Sequence, residues 1–398
     1  MKGGPAPRGG DAGRRSAVII ALGVVAFLGV RLHVLDDDFP NPDIAGIVYN
    51  AELLLRGGLP YVDTVEIKPP GAFEIAALSI AMLGRSLEAL QLVYGLWLLV
   101  GAWAVGWAAQ AVYADDSDTR RESTAIAAMV ALVAMGMFSY NYSGWMTPAS
   151  AIAVGAALRG LRSNRLPWSV LAGAAACLAV VTIQRAVVLA LVLPIVWLWA
   201  RRQKLPGAGW TAMLAWIVGA LAMAVVVAMP WIAAGRLGTL IDALAPWSVA
   251  RDYTSASSGG LAVIPLVAWQ LLKVFWFPLG VIAVAGYAAA REHPRAWAPW
   301  IPGLAWLSLS IVAAGLGGSR FYLHYLVQYA PALGLLAGHP ALMRRVHARD
   351  RVVAALLAAL VLAQLVEIGL GRGHRYESMA RRLQNGRTAA QAAGAHIR

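Results

Sequence analysis

Long apolar segments separated by short polar loops repeat along most of the chain. A helix that crosses a bilayer needs about 20 apolar residues, and runs of roughly this length recur from residue 16 to residue 370. The pattern predicts about eleven membrane-spanning helices and therefore an all-α, polytopic membrane protein. The spans are expected near residues 16–35, 86–113, 123–140, 147–163, 167–183, 186–200, 210–234, 263–290, 297–316, 321–340 and 352–370.

The longest polar interruption is the first loop, residues 36–85. Apolar residues recur at helical spacing between Asp43 and Gly57, which predicts an amphipathic helix within this loop. Residues 70–83 are apolar but too few to cross a bilayer, which predicts an interfacial or re-entrant helix. Residues 235–262 form a second sizeable loop on the same side of the membrane.

The distribution of Lys and Arg orients the chain, because loops on the cytoplasmic side carry the excess of these residues. If residues 70–83 do not span, the predicted cytoplasmic segments hold more than twice as many Lys and Arg as the outer loops. The cytoplasmic set is Lys2, Arg8, Arg14, Arg15, Arg120, Arg121, Arg159, Arg162, Arg165, Arg201, Arg202, Lys204, Arg291, Arg295, Arg344, Arg345, Arg349 and Arg351. The outer set is Arg56, Lys68, Arg85, Arg185, Arg236, Arg251 and Arg320. Residues 1–15 are then a cytoplasmic basic tail, 16–370 a transmembrane domain and 371–398 a basic, polar C-terminal tail.

Composition excludes the soluble class. The chain is 60% hydrophobic and 13% charged, with a mean hydropathy of +0.64, whereas soluble domains carry about 25% charged residues. The net charge of +13 comes from arginines scattered through loops, without the basic stripe that binds nucleic acid. No phosphate-binding glycine loop, Cys/His metal spacing or nucleophile elbow is present, so no cofactor is predicted.

Several conspicuous residues have ordinary explanations in a membrane protein. Arg31 lies near the outer end of the first span and is expected to extend its guanidinium to the interface. Most Trp residues fall near predicted span ends, as in an interfacial aromatic belt. They include Trp231, Trp247, Trp297, Trp300 and Trp306. The single cysteine, Cys177, lies in an apolar run and is expected to pack between helices.

The first loop resembles the first periplasmic loop of GT-C membrane glycosyltransferases. In pattern it is similar to the aminoarabinose transferases, the protein O-mannosyl transferases and the rhizobial galacturonosyltransferase-like group. The matching residues are Pro42-Asp43, Tyr49, Leu53-Leu54, Gly57-Gly58-Leu59-Pro60-Tyr61-Val62-Asp63 and Lys68-Pro69-Pro70-Gly71. A second similarity covers residues 317–331, with Arg320, His324 and Tyr325 followed by Gln and Pro, and a weaker one ends at Gln184-Arg185.

This resemblance implies an inverting transfer of a sugar from a polyprenyl phosphate to an acceptor hydroxyl on a glycan, a lipid or a protein. The protein would lie in the inner or plasma membrane of the cell, with its active site facing the periplasm or the exterior. An Asp of the first loop would be the general base. The sequence departs from the family at Ile44, where relatives commonly have an acidic residue. It also has no acidic residue in residues 140–147, which argues against a metal.

Asp43 matches the family's general base and lies at the start of a predicted helix. An Asp there also commonly serves as a helix cap. Asp36, Asp37 and Asp38 form a like-charge run of the kind found in solvated loops. Asp63 follows a Pro-Tyr turn, where stabilising the turn is the favoured role.

Glycosyl transfer from a lipid phosphate also needs cations that stabilise the leaving group. Lys68 supplies a point charge suited to phosphate, although a Lys at a membrane edge also commonly extends to the headgroups. Arg185, Arg320, His324 and Tyr325 are the further candidates. Arg320 and His324 share one helix face, and packing against neighbouring loops is an equal alternative for this pair. Tyr61, Asp63 and Gln184 are secondary candidates.

Two other functions fit the composition. A transporter or flippase should show repeat-related halves with broken helices near the midplane, and no such pairing appears in the sequence. A polymerase or ligase of lipid-linked oligosaccharides would centre on a large later loop, whereas here the longest polar loop is the first one.

Overall fold

The computed structural model describes residues 10–35, 42–113, 117–138, 140–245, 263–292, 298–315 and 323–366. Over those residues the chain is built from helices joined by short loops, with one isolated β-bridge between Pro60 and Thr64. The helices are α1 Gly10–Leu35, α2 Pro42–Leu55, α3 Gly71–Leu83, α4 Leu87–Val112, α5 Ser117–Gly136, α6 Tyr142–Ser163, α7 Leu166–Thr182, α8 Ala186–Ala190, α9 Val192–Arg202, α10 Trp210–Ala233, α11 Leu237–Leu244, α12 Val263–Ala290, α13 Trp300–Gly315, α14 Ala330–Ala337, α15 Pro340–His347 and α16 Arg351–Val366. A 3₁₀ helix, Leu323–Tyr329, leads directly into α14.

Every predicted spanning segment contains a helix, which confirms the all-α, polytopic fold class. Among the described residues, four helical stretches are long and apolar enough to cross a membrane, and five shorter apolar helices lie between or after them. The four are Gly13–Arg31, Glu88–Val112, Trp210–Ala233 and Leu271–Ala290. The first helix, Gly10–Leu35, includes residues 10–15 of the predicted basic tail. The predicted tail over residues 371–398 lies outside the described part of the chain.

Proline breaks the helices in two predicted spans and bends a third. A proline ring clashes with the carbonyl four residues earlier and offers no N–H to it. Pro194 accordingly follows the break between α8 and α9, and Pro331 ends the 3₁₀ segment that opens the span at 321–340. Pro278 lies three residues after Phe275, whose φ of −112° and ψ of 24° interrupt α12.

The membrane helices pack through small residues. α4, α6, α7 and α10 form a row of successive neighbours, and α5 packs between α1, α4 and α14. At the α7–α10 contact, a Cβ built on Gly173 would lie 1.8 Å from the Trp216 carbonyl oxygen, and one on Gly219 would lie 1.9 Å from that of Val170. Only glycine fits at these two positions, so the close approach of α7 and α10 depends on Gly173 and Gly219.

Charged residues meet at one end of the bundle. Glu122 of α5 is only 1% exposed, and its carboxylate oxygens lie 2.9 Å from Nε of Arg15 and 2.7 Å from Nε2 of His347. Because Arg15 and Glu122 share one end, the chain crosses the bundle an even number of times between them. This is compatible with two crossings by α1 and α4 and with the prediction that residues 70–83 do not span.

The first loop contains both predicted helices, α2 and α3. α2 buries Ile44, Ile47 and Ala51 completely and ends before Gly57, whose φ of 81° suits the residue that follows a helix. α3 begins against the end of α7, where a Cβ on Gly71 would lie 2.8 Å from the Val181 carbonyl oxygen. The contact ties the loop to the membrane helices. In the second loop the structure adds α11, and residues 246–262 lie outside the described ranges.

The prediction for Arg31 is wrong. Its side chain is 5% exposed and points into the bundle instead of reaching the interface. Nη1 donates to the Phe138 carbonyl oxygen at 3.0 Å and Nη2 donates to Oε1 of Gln91. The guanidinium also lies 5.1 Å from the centroid of the Tyr94 ring. These partners are 60 and 107 residues away in the chain, so Arg31 joins α1 to two later elements.

The aromatic-belt prediction is wrong for three Trp residues, which are buried inside the protein. Trp231 and Trp306 are completely buried, and Trp300 stacks on His339 at a centroid distance of 4.8 Å. Trp231 lies beside the first loop and donates from Nε1 to the Pro60 carbonyl oxygen at 3.1 Å. Trp247 and Trp297 lie outside the described residues.

Candidate active site

The start of α6 is the meeting point of the predicted phosphate-binding residues. Asn141 caps this helix by accepting a hydrogen bond from the Gly144 N–H at 2.9 Å. The next two residues, Tyr142 and Ser143, are buried. A helix N-terminus carries partial positive charge and free N–H groups, so this position favours a nearby anion.

Lys68 approaches α6 from the first loop. Its Nζ lies 5.9 Å from the centroid of the Tyr142 ring. The loop backbone around it is fixed on both sides, because the Tyr61 hydroxyl donates to the Lys68 carbonyl oxygen and Gln184 Nε2 donates to that of Ile67 at 2.6 Å. Lys68 is therefore held by contacts that run from the loop to the end of α7.

Arg185 approaches the same helix start from the α7–α8 connection. It is 8% exposed, and one guanidinium nitrogen donates to the hydroxyl of Ser143. Its Cζ lies 3.5 Å from the centroid of the Tyr325 ring, a cation–π contact. Lys68 and Arg185 thus contact two adjacent residues of α6, and Tyr325 joins them through Arg185.

Asp43 lies in the first turn of α2 and is half-buried. Its helix faces the same tyrosine, since a Cβ built on Gly46 would lie 3.8 Å from the Tyr142 hydroxyl. Residues three apart share a helix face, which puts Asp43 on the Gly46 side. Its charge acts on the Tyr142 hydroxyl electrostatically. The carboxylate predicted as base and the cation Lys68 therefore share one neighbour.

Glu66 was missed by the sequence analysis. Its Oε1 accepts hydrogen bonds from the backbone N–H groups of Ile67 at 2.8 Å and Lys68 at 2.9 Å. Its Oε2 accepts from Nδ2 of Asn50, on α2, at 3.2 Å. One carboxylate thus connects the helix of Asp43 to the backbone of Lys68. The only sequence signal was its place two residues before Lys68.

A second acidic residue, Glu74, lies on α3 near the same loop. Its Oε1 is buried and has no hydrogen-bond partner among the described residues. Burial raises the pKa of this carboxyl to about 8. Burial also raises the pKa of the Tyr61 hydroxyl, and the charges of Glu66 and Glu74 raise it further. Tyr61 consequently stays protonated and can keep donating to the Lys68 carbonyl.

The secondary candidates have structural contacts. Asp63 is exposed and accepts a hydrogen bond from the Leu59 N–H at 2.7 Å, the turn-stabilising role favoured for it. Tyr61 packs at 5.9 Å from Trp231, and Gln184 fixes the loop as described. Arg320 and the run Asp36 to Asp38 lie outside the described residues, as does the side chain of His324. Of the predicted Arg320, His324 and Tyr325 group, the structure describes only the side chain of Tyr325, which contacts Arg185.

A small cavity of about 10 Å³ lies between α6, α7, α8 and α9, and Ala186, the residue after Arg185, is part of its wall. Its wall is made of small or apolar side chains with one hydroxyl. The lining residues are Ser150, Ala153, Val154, Ala176, Ala179, Ala186, Leu189, Ala190 and Leu193. This small apolar cavity thus lies beside the segment that carries the buried Arg185.

Comparison with known proteins finds a similar fold in a solved structure. No family model matches the chain, and no curated protein matches it in sequence. The crystal structure of ArnT from Cupriavidus metallidurans bound to undecaprenyl phosphate is similar, with a TM-score of 0.55 and 18% sequence identity. The match covers 86% of this chain and 63% of ArnT, so this chain spans less than two thirds of that protein. The chain therefore has a polytopic, all-helical fold similar to that of ArnT.

Proposed function

We propose that this protein is a GT-C membrane glycosyltransferase. It transfers a sugar from a polyprenyl-phosphate donor to a hydroxyl group of a glycan, lipid or protein acceptor. The observation that carries the proposal is the convergence of Lys68 and Arg185 on the start of α6, beside the helix that bears Asp43. The ArnT structure, which holds undecaprenyl phosphate on a similar fold, supports the same class of donor.

The cations would bind and stabilise the phosphate leaving group. When the bond from the anomeric carbon to the phosphate oxygen breaks, negative charge grows on the phosphate. Lys68 supplies a point charge, Arg185 supplies a planar fork of donors, and the start of α6 adds its dipole. Such preorganised donors are worth most in a site shielded from water, and Arg185 is buried.

Asp43 would act as the general base. It would remove the proton of the acceptor hydroxyl as the oxygen attacks the anomeric carbon from the side opposite the phosphate. A single displacement of this kind inverts the anomeric centre. Asp43 is half-buried, so the acceptor can reach it from solvent, and its place in the first turn of α2 favours the ionised form.

The apolar wall formed by α6, α7, α8 and α9 would contact the first part of the polyprenyl chain. Small side chains line it, and the helices would separate to admit the chain because the cavity there is only about 10 Å³. A phosphate with an attached isoprenoid needs a cation at the mouth of its site and an apolar wall beyond it.

The protein would lie in the inner or plasma membrane, with its active site facing the periplasm or the exterior. The excess of Lys and Arg in the segments predicted as cytoplasmic supports this orientation. Arg15 and His347, from that set, lie together at one end of the bundle around Glu122. Lys68 and Arg185, from the outer set, meet at the start of α6.

Binding of undecaprenyl phosphate to the protein in lipid nanodiscs tests the proposal. Lys68→Ala should raise the dissociation constant about tenfold or more, the effect of losing one hydrogen bond to a charged group. Arg56→Ala is the matched control, because Arg56 is a basic residue of the same loop with a 66% exposed side chain that pairs with Glu52. Undecaprenol, which lacks the phosphate, should bind both variants and the wild type equally. Equal affinity of Lys68→Ala and wild type for undecaprenyl phosphate would exclude the proposed donor site.

A further inference from the structure

A second buried cluster packs against the start of α6 through contacts other than those of Lys68 and Arg185. Its centre is Arg31 of α1, which bonds to the Phe138 carbonyl and to Gln91 and lies over the Tyr94 ring. Phe138 belongs to the connection that leads from α5 into α6, and it precedes the capping residue Asn141 by three positions. Arg31 therefore fixes the backbone of the connection that leads into α6.

Aromatic rings carry this contact onto α6 itself. Tyr94 meets Trp145 at a centroid distance of 5.5 Å and Tyr140 at 5.7 Å, and those two rings meet each other edge to face at 5.2 Å. Gly144 lies directly against Tyr94, because a Cβ built there would be 2.2 Å from the tyrosine hydroxyl. The first turn of α6 is thus packed tightly against the residues that surround Arg31.

The same turn presents the two residues that contact the cations of the site. Tyr142 lies under Lys68, and Ser143 accepts a hydrogen bond from Arg185. Gly144 and Trp145, the next two residues, contact Tyr94 in the cluster around Arg31. A shift of this turn toward or away from α4 would therefore move the partners of both cations together.

We propose that Arg31 is a positioning residue, which fixes the first turn of α6 so that Tyr142 and Ser143 hold Lys68 and Arg185 in place for the donor phosphate. The inference rests on the proposed function. Arginine suits the task because its planar guanidinium donates in two directions and stacks on a ring at the same time. Lysine keeps the charge but has no such fork, so it can restore only part of the arrangement.

The test compares Arg31→Met with Arg15→Met, a matched control on the same helix. Arg15 makes its ion pair with Glu122 at the opposite end of the bundle, so both variants loosen α1 but only one lies near the site. The readouts are the melting temperature in nanodiscs and the dissociation constant for undecaprenyl phosphate. Arg31→Met should raise that constant about tenfold, the effect of losing one hydrogen bond of a charged group, while Arg15→Met leaves it unchanged.

Arg31→Lys keeps the test decisive if Arg31→Met fails to insert. It should bind undecaprenyl phosphate with an affinity between those of the wild type and Arg31→Met, or clearly below wild type where the Met variant is not obtained. A merely structural role predicts wild-type affinity for every variant that folds, or equal weakening by Arg31→Met and Arg15→Met. Either result overturns the inference. If Lys68→Ala also binds normally, the proposed donor site itself has failed, whereas a defect in Lys68→Ala alone rejects only the role of Arg31.

Discussion

Replacing Glu66 by Gln should weaken the binding of undecaprenyl phosphate about tenfold. The charge of Glu66 acts on the Tyr142 hydroxyl at the start of α6, but its hydrogen bonds go to other residues. Its carboxylate instead holds the backbone of Lys68 and connects it to Asn50 of α2. The substitution leaves Lys68 in place and loosens the segment that carries it.

The magnitude follows from the three hydrogen bonds of the carboxylate. A glutamine oxygen can still accept from the Ile67 and Lys68 N–H groups, but each bond loses its charge and weakens by about 1 kcal/mol. The Asn50 amide then faces the glutamine NH₂ group, so a bond worth about 1.5–3 kcal/mol is lost. Water recovers part of this sum because Glu66 is half-buried. If about 1.4 kcal/mol remains, the dissociation constant rises tenfold.

Glu52→Gln is the control for this prediction. Glu52 is also on the first loop, where it pairs with Arg56 at 2.8 Å and with Arg85 at 3.7 Å. Exposed ion pairs of this kind contribute about 0–1 kcal/mol, so the variant should bind undecaprenyl phosphate like the wild type in the same nanodisc titration. Wild-type affinity in Glu66→Gln, or equal weakening in both variants, would refute the role given to Glu66.

Three further predictions address the surroundings of the site. Burial raises the pKa of Glu74 to about 8 from 4.5, so folding favours the protonated form and the wild type should lose stability as the pH rises from 5 to 9. Glu74→Gln should have the melting temperature of the wild type at pH 5 and a higher one at pH 9. The same pH dependence of the melting temperature in both proteins would contradict the burial argument. Ala190→Phe should fill the small cavity between α6, α7, α8 and α9 and weaken undecaprenyl phosphate binding. Leu191→Phe, at an exposed neighbouring position, should leave the affinity unchanged. Equal affinities of the two variants would show that the polyprenyl chain does not lie there. Trp231→Phe removes the bond to Pro60 and should make residues 59–68 exchange amide hydrogens faster, so unchanged exchange would show that the loop is held elsewhere.

The helices of the first loop could be predicted because their signals are local. The apolar spacing after Asp43 predicts α2, and the mainly apolar 14-residue segment from Pro70 predicts a helix too short to span. Proline signals are local too, yet the breaks before Pro194 and Pro331 were not anticipated. A proline is tolerated at the start of a helix and disruptive inside one, so its effect depends on where the helix begins.

The residues that the sequence misassigned are those whose partners are distant in the chain. Arg31 looks like an interfacial arginine until α4 and Phe138 surround it. Trp231 looks like a member of the aromatic belt until the first loop folds over it. Both side chains combine a long apolar part with a polar group, which suits an interface and a satisfied interior equally. Only the tertiary fold separates the two cases.

The central claim is that Asp43 is the base of a sugar transfer, and one comparison tests it most directly. A strain lacking the protein is complemented with the wild type or with Asp43→Asn, and its envelope glycans, glycolipids and glycoproteins are compared by mass spectrometry. Loss of a general base lowers turnover by about 10²–10⁴-fold. The account predicts that one sugar modification disappears in the deletion strain, returns with the wild type and stays absent with Asp43→Asn, although that variant inserts in the membrane and binds undecaprenyl phosphate. Full restoration of the modification by Asp43→Asn would contradict the account.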